Sequence, residues 1–112
     1  MTDATADFFE DLGHRGHEPL LEKTTGTFGF ELENGSKSDH WVVAVDKGDV
    51  AVSHKRGKAD CTLRARKRVF DSLARGESNA MAAVLRGTVV VEGDPRLLVR
   101  FQRLFPSPPP AR

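Results

Sequence analysis

The apolar residues of this chain change their spacing twice, and this change constrains the fold more than any other feature. Between residues 25 and 65 they alternate with polar residues, as Phe28, Phe30 and Leu32 do, which predicts a run of half-buried strands. Before and after this region they recur three and four residues apart, as in amphipathic helices. The predicted order is helix, four strands, two helices, strand, helix. Consecutive strands joined by short turns exclude a doubly wound parallel sheet.

Turn and capping residues set the predicted boundaries. The first helix is predicted over Ala4–Leu12, with Gly13 as its end. The strand His40–Asp46 is apolar on both faces, so we expect a central strand covered on both sides or nearly so. Asp94 as the cap and Pro95 at the first helical position mark the start of the last helix. Each helix has one apolar face, so the helices are expected to lie on the sheet.

Length and composition indicate one globular domain. The chain has 112 residues, and we expect residues 1–105 to form the domain and the proline-rich residues 106–112 a tail. No apolar run approaches the ~20 residues that a spanning helix needs. Residues 1–12 contain acidic and no basic side chains, unlike a secretory signal. Cys61 is the single cysteine, so an internal disulfide is excluded and a cytoplasmic location is expected.

The two halves of the chain carry opposite charge. Residues 1–50 hold 11 acidic and 4 basic side chains, whereas residues 51–112 hold 5 acidic and 13 basic ones. We expect the halves to attract each other within the fold. The basic stretch Lys55–Arg68 is a candidate contact for an anionic membrane surface or for nucleic acid. Because no exposed aromatic residue is interleaved with it to stack on bases, nucleic-acid binding is not expected.

Catalytic constellations are missing from the sequence. It has no glycine-rich phosphate loop and no nucleophile elbow, and Cys61 lies at an alternating position that predicts a small buried hydrophobe. His14 and His17, with Asp11 and Glu18, are the only candidate zinc ligands. Two glycines within this group argue against a rigid metal site. We therefore expect no enzymatic activity, no cofactor and no metal.

Five segments, in their order and spacing, resemble the sterol carrier protein-2 family, and in particular its short stand-alone bacterial members. The likeness covers nearly the whole chain. The segments are Thr27–Leu32, Trp41–Val52, Ala59–Leu63, Phe70–Gly76 and Ala82–Asp94.

The resemblance implies an α+β fold with a five-stranded, mainly antiparallel sheet and helices packed on one face. It further implies an apolar tunnel between the two layers that takes a fatty acid, acyl-CoA, phospholipid or sterol, without covalent chemistry. Arg64 or Arg68 is a candidate to hold a head group. The candidate lining consists of Phe28, Phe30, Phe70, Leu73, Met81, Val84, Leu85, Leu98, Phe101 and Phe105.

A second function class remains open at the level of sequence. The family's fold also resembles accessory domains of larger enzymes, and the residues that line a pocket are those that fill a closed core. The chain would then be an interaction module for a partner enzyme, or a homodimer, with no ligand of its own. The oppositely charged halves and the proline-rich tail motivate this alternative.

Overall fold

A computed structural model describes residues 3–105, and the predicted tail over residues 106–112 lies outside the described residues. The helices and strands appear in the order that the periodicity predicts. The four helices are α1 (Ala4–Arg15), α2 (Lys67–Ala74), α3 (Ala80–Arg86) and α4 (Pro95–Phe101). The five strands are β1 (Thr25–Asn34), β2 (Lys37–Asp46), β3 (Asp49–Ser53), β4 (Cys61–Arg66) and β5 (Val89–Gly93).

The strands form one sheet in the order β3-β2-β1-β4-β5. Three of its four neighbouring pairs are antiparallel, and β1 with β4 is the parallel pair. The register places Phe30 beside Trp41 on one side and beside Leu63 on the other. All three side chains are buried, because this face of the sheet carries the helical layer. The expected five-stranded, mainly antiparallel α+β fold is confirmed.

The end of α1 differs from the prediction. The helix continues through Gly13 to Arg15 and ends at Gly16, whose φ of 68° lies in the left-handed region. Gly13 lies inside the helix, where a Cβ would make ordinary van der Waals contact with Val52 of β3 at 3.5 Å. Helix α1 therefore runs close to β3 at this point. At the other end, the Asp3 carboxylate accepts a hydrogen bond from the Ala6 amide and caps the helix.

Strand β2 is longer and less covered than predicted. It begins at Lys37, because a turn of two residues suffices to connect it to β1. It is an inner strand, but Ala44 on its outer face is exposed and Val42 is half-buried. The β3–β4 loop provides the partial cover: a Cβ at Gly57 would lie 3.2 Å from Val42. The expected cover on both faces is wrong, since the helices occupy one face alone.

Ion pairs join the acidic and basic halves, as expected, through Asp3 and Glu31 of the acidic half. The Lys67 ammonium lies 2.9 Å from Asp3 and 3.4 Å from Asp71. The hydrogen bond from Lys67 lowers the pKa of the Asp3 carboxyl. Arg64 on β4 contacts Glu31 on β1 at 2.5 Å and Glu92 on β5 at 2.8 Å. No helix within residues 3–105 is long and apolar enough to span a bilayer.

Candidate functional site

Most of the predicted lining residues lie in the layer between the helices and the sheet. Strand β1, helix α2 and helix α4 contribute six of them, because each of these elements turns its apolar face toward this layer, and Phe105 follows the short 3-10 helix after α4. Each of the side chains is at most 7% exposed. The residues are Phe28, Phe30, Phe70, Leu73, Leu98, Phe101 and Phe105.

Aromatic rings fill much of this layer. All seven phenylalanines and Trp41 pack in one connected aromatic cluster. Phe9 occupies its centre, with ring centroids 4.5 Å from Trp41, 5.0 Å from Phe30 and 5.4 Å from Phe70. Phe8 stacks on Phe105 at 5.0 Å. Phe8 and Phe9 are absent from the predicted lining; their helical spacing from Leu12, which places all three on one apolar face, was the available signal.

A stack of nearly parallel rings runs from the surface into this cluster. His54 lies on Trp41 with ring centroids 3.9 Å apart, Trp41 lies on Phe9, and Phe9 lies on Phe70. The Asp39 carboxylate holds the outer end, since it accepts a hydrogen bond from the Trp41 indole and contacts the His54 ring. His54 is exposed to solvent, and its ring covers the outer face of Trp41.

Helix α3 departs from the predicted lining. Met81 and Val84 are half-buried at its flanks, whereas Leu85 is 88% exposed. The residues of α3 that face the core are Ala80 and Ala83, three positions apart. Leu85 follows Ala83 by two positions, or about 200° around the helix, and so points away from the core. The expectation that Leu85 faces inward is wrong.

An open groove of about 280 Å³ lies between α2 and α3. We call it the α2–α3 groove. Its apolar side chains, Val69 and Ala83, also pack in the core, so the groove floor is continuous with the apolar layer. Its rim is polar and basic. The lining consists of Arg68, Val69, Ser72, Ser78, Ala83, Arg86 and Thr88.

The candidate head-group arginines differ in their surroundings. Arg64 lies on the outer face of the sheet between two glutamates, so its charge is already compensated. Arg68 has no carboxylate within 4 Å in the described part of the chain, and it lines the α2–α3 groove. It also lines a second groove of about 420 Å³ beside the β1–β2 turn, together with Arg66 and Glu33. Arg68 is thus the better placed of the two.

The titratable groups do not assemble into a reactive site. Burial, followed by the nearby Asp94 carboxylate, raises the pKa of the Cys61 thiol, which is the opposite of nucleophile activation. His17 lies 2.8 Å from Asp49 and 3.5 Å from Glu22, and these carboxylates raise its pKa. Within residues 3–105, no group of three or more His, Cys, Asp or Glu side chains is placed to hold a metal ion.

Fold and site together define a class: a mixed sheet covered on one face by helices, with an apolar, largely aromatic layer between them and a basic-rimmed groove beside α2 and α3. Comparison with known families places the chain within that class. Residues 9–106 match the model of the SCP-2 sterol transfer family, and the chain belongs to this family. Lipid binding or transfer is therefore supported as its general function, and the resemblance inferred from the five sequence segments is confirmed.

Individual relatives show the range of contexts in which the domain occurs. The chain is 31% identical over 99 residues to sterol carrier protein 2 of Gallus gallus, covering 85% of this chain and 18% of that one. The structure of palmitated SCP2L2 from Aedes aegypti matches with a TM-score of 0.66 and 15% identity, covering 87% of this chain and 89% of that one.

A further structural match is to part of an enzyme. The sec-alkylsulfatase Pisa1 from Pseudomonas sp. matches with a TM-score of 0.71 and 24% identity, covering 89% of this chain and 16% of that one. Domains of this fold thus occur within larger enzymes. The comparisons show no catalytic role for this chain, and they do not favour the closed-core alternative.

Proposed function

We propose that this protein binds and transfers an amphipathic lipid, without covalent chemistry, in the apolar layer between the helices and the sheet. The observation that carries the proposal is that the apolar floor of the α2–α3 groove, Val69 and Ala83, belongs to the packed apolar layer, because a lipid tail needs an apolar space and its head group needs access to water. A fatty acid, an acyl-CoA, a phospholipid or a sterol-like molecule fits this description. One of the matched structures, SCP2L2 from Aedes aegypti, is described as palmitated.

A bound lipid tail has to displace or separate part of the aromatic cluster. Helix α3 offers the least resistance to such a change. It is seven residues long, and the side chains that it fully buries are those of Ala80 and Ala83. The free energy of burial scales with apolar area at about 25 cal/mol per Å². Exposing two alanines therefore costs much less free energy than exposing Phe70 and Leu73 of α2. We infer that the lipid passes between α2 and α3.

The surroundings of the groove fit transfer at an anionic membrane surface in the cytoplasm. Arg66, Arg68 and Arg86 are exposed on this side of the molecule. Leu85, beside Arg86, presents an apolar side chain to solvent. Basic and apolar side chains together favour contact with anionic lipid head groups. The buried thiol of Cys61 is compatible with a reducing compartment.

Native mass spectrometry of the freshly purified protein, followed by solvent extraction, tests this function directly. We expect an added mass of a few hundred daltons, on the order of one lipid, that survives dilution and yields a fatty acid or phospholipid. A bare 12.3 kDa species that also fails to bind a panel of added lipids would contradict the proposal. That result would favour the alternative, a closed-core accessory module.

A further inference from the structure

We propose that two copies of this protein pair along strand β5, so that their sheets join into one continuous sheet. The sheet has two edges, β3 and β5. A strand at an edge has backbone N–H and C=O groups that point away from its single neighbour, and these groups can pair with a strand of another chain. The two edges of this sheet differ in how they are protected, and the difference identifies β5 as the one that pairs.

The β3 edge is covered by the connection between α1 and β1. The Val50 amide of β3 donates a hydrogen bond to the Gly16 carbonyl at 2.8 Å. His17 forms a backbone bridge to Asp49 in the same strand. The covering segment satisfies backbone groups of β3 and occupies the space in which a further strand would lie. A second copy therefore has no free strand to pair with along the first residues of β3.

The β5 edge lacks such cover in the described part of the chain. Within residues 3–105, β5 pairs with β4 alone, and no other backbone hydrogen bond involves residues 89–93. The strand contains no proline, and Glu92 is its one charged residue, so it lacks the side chains that usually block edge pairing. Val90, on the face without helices, is 51% exposed. An exposed apolar strand edge of this kind favours pairing with another strand.

Helix α3 places an apolar stripe beside this edge. Met81, Val84 and Leu85 are spaced three and four positions apart and so share one side of the helix. At about 100° per residue, this side is opposite to Ala83 and Arg86, which line the α2–α3 groove. Since α2 packs on β1 and β4, and α3 packs on β5, the stripe faces the edge of the sheet. This surface is separate from the groove, so the inference does not depend on lipid binding.

Two β5 strands fit each other when they run antiparallel about a twofold axis at Val90. Val90 then faces Val90 of the second copy on the open face of the sheet, and Val89 faces Val91 on the helix face. Thr88 faces Glu92, so no like charges meet. Pairs of β-branched side chains across antiparallel strands stabilise a sheet. The strand is therefore complementary to itself, which identifies a second copy as the partner.

The charges around β5 favour the same orientation. Arg86 precedes the strand, whereas Glu92 and Asp94 lie close to its end. Antiparallel pairing brings the basic end of one copy beside the acidic end of the other, and parallel pairing would bring like charges together. The twofold axis also places both α3 helices on one face of the joined sheet, so that the apolar stripes containing Leu85 face each other. Pairing thus covers the exposed side chains of both Leu85 and Val90.

Sedimentation equilibrium between about 10 µM and about 1 mM tests the pairing, because an interface of one strand and one helix stripe is small and associates weakly. We expect the mass to rise with concentration from 12.3 kDa toward twice that value and to level off there, since a twofold interface closes. A mass of 12.3 kDa throughout this range, or growth beyond two copies, would overturn the proposal.

Val90→Lys tests the surface itself, because it places two ammonium groups opposite each other at the twofold axis. We expect it to raise the dissociation constant of the dimer at least about tenfold. Ala51→Lys is the matched control, since it adds the same charge at an exposed position of β3, the other edge strand. The control should dimerise as wild type does. If both variants dimerise as wild type does, or if both weaken the dimer equally, β5 is not the interface.

Leu85→Arg provides an independent variant, because it alters the helix stripe and leaves the strand unchanged. It should also weaken the dimer, while circular dichroism and urea unfolding at low concentration should match those of wild type. Hydrogen exchange shows which edge pairs: the β5 amides should exchange more slowly as the protein concentration rises, and the β3 amides should not change. The opposite pattern would place the interface at β3 and refute the proposal.

Discussion

The two ends of the helical layer are built differently. Where α1, α2 and α4 cover the sheet, eight aromatic rings pack together, and Phe9, Phe70 and Phe101 have no exposed surface. Where α3 covers the edge strand β5, the buried side chains of the helix are two alanines, and Leu85 projects into solvent. The first region buries the larger apolar area, so we expect the second to separate from the sheet at lower cost, as the proposed passage of a lipid between α2 and α3 requires.

Truncation of a ring inside the aromatic cluster should lower the free energy of unfolding more than any other change proposed. Phe70→Ala removes a fully buried side chain that contacts Phe9 and Phe30, and we expect a loss of about 3–5 kcal/mol in the free energy of unfolding. Urea denaturation measures it. Leu85→Ala removes a large side chain from the other region and should cost less than about 0.5 kcal/mol. Similar losses for the two variants would contradict the division into a closed and an open region.

Weakening the hydrogen bonds that attach α1 to α2 should have the second-largest effect on stability. Thr5 is fully buried, and its amide and hydroxyl both donate hydrogen bonds to the Asp71 carboxylate, at 3.1 and 2.5 Å. Asp71→Asn should destabilise the protein by about 1–3 kcal/mol, because it weakens the partner of a buried hydroxyl. Thermal unfolding measures the change. Glu10→Gln, an exposed site on α1, is the control. An Asp71 variant as stable as this control would show that α1 is held by its apolar face alone.

A smaller effect, and one that depends on pH, is expected where α1 meets β3. Asp49 and then Glu22 raise the pKa of His17 above its usual value of about 6.5. A raised folded-state pKa adds stability below pH ~6.5, and this stability is lost as pH rises through the folded-state pKa. Wild type should therefore be more stable than His17→Asn below pH ~6.5, and the difference in unfolding free energy should disappear above the folded-state pKa of His17. NMR titration of the His17 ring should give a midpoint above 6.5, and Asp49→Asn should lower it. An unchanged midpoint would show that Asp49 does not influence the imidazole.

The smallest effect is expected at Leu85, where the structure reverses an expectation from the sequence. Apolar spacing predicts that Leu85→Arg introduces a charge into the lining and destroys lipid binding. Since the side chain is 88% exposed, we now expect the variant to fold normally and to bind palmitate within about twofold of wild type, as exposed substitutions generally do. Loss of binding in the folded variant would place Leu85 on the path of the lipid after all.

Periodicity predicted every helix and strand, and the charge asymmetry predicted the ion pairs between the halves, because both signals are local or compositional. Two boundaries were wrong. Helix α1 continues past Gly13 to Arg15, since a glycine inside a helix does not by itself end it, and β2 begins at Lys37 because the turn before it needs two residues alone. Seven of the ten proposed lining residues are buried in the apolar layer, and Leu85 is not. The rotation of α3 could not be predicted, since both of its possible inner faces are apolar.

The sequence by itself determined the order of the elements, the start of α4 at Asp94 and Pro95, and the inward face of β1, because each depends on residues a few positions apart. The tertiary structure decided the parallel pairing of β1 with β4, the stack from His54 to Phe70, and the contrast between Arg64, which is held by glutamates, and Arg68, which faces a groove. These features join residues distant in the chain. Their geometry follows from how the layers pack, and no local pattern records it.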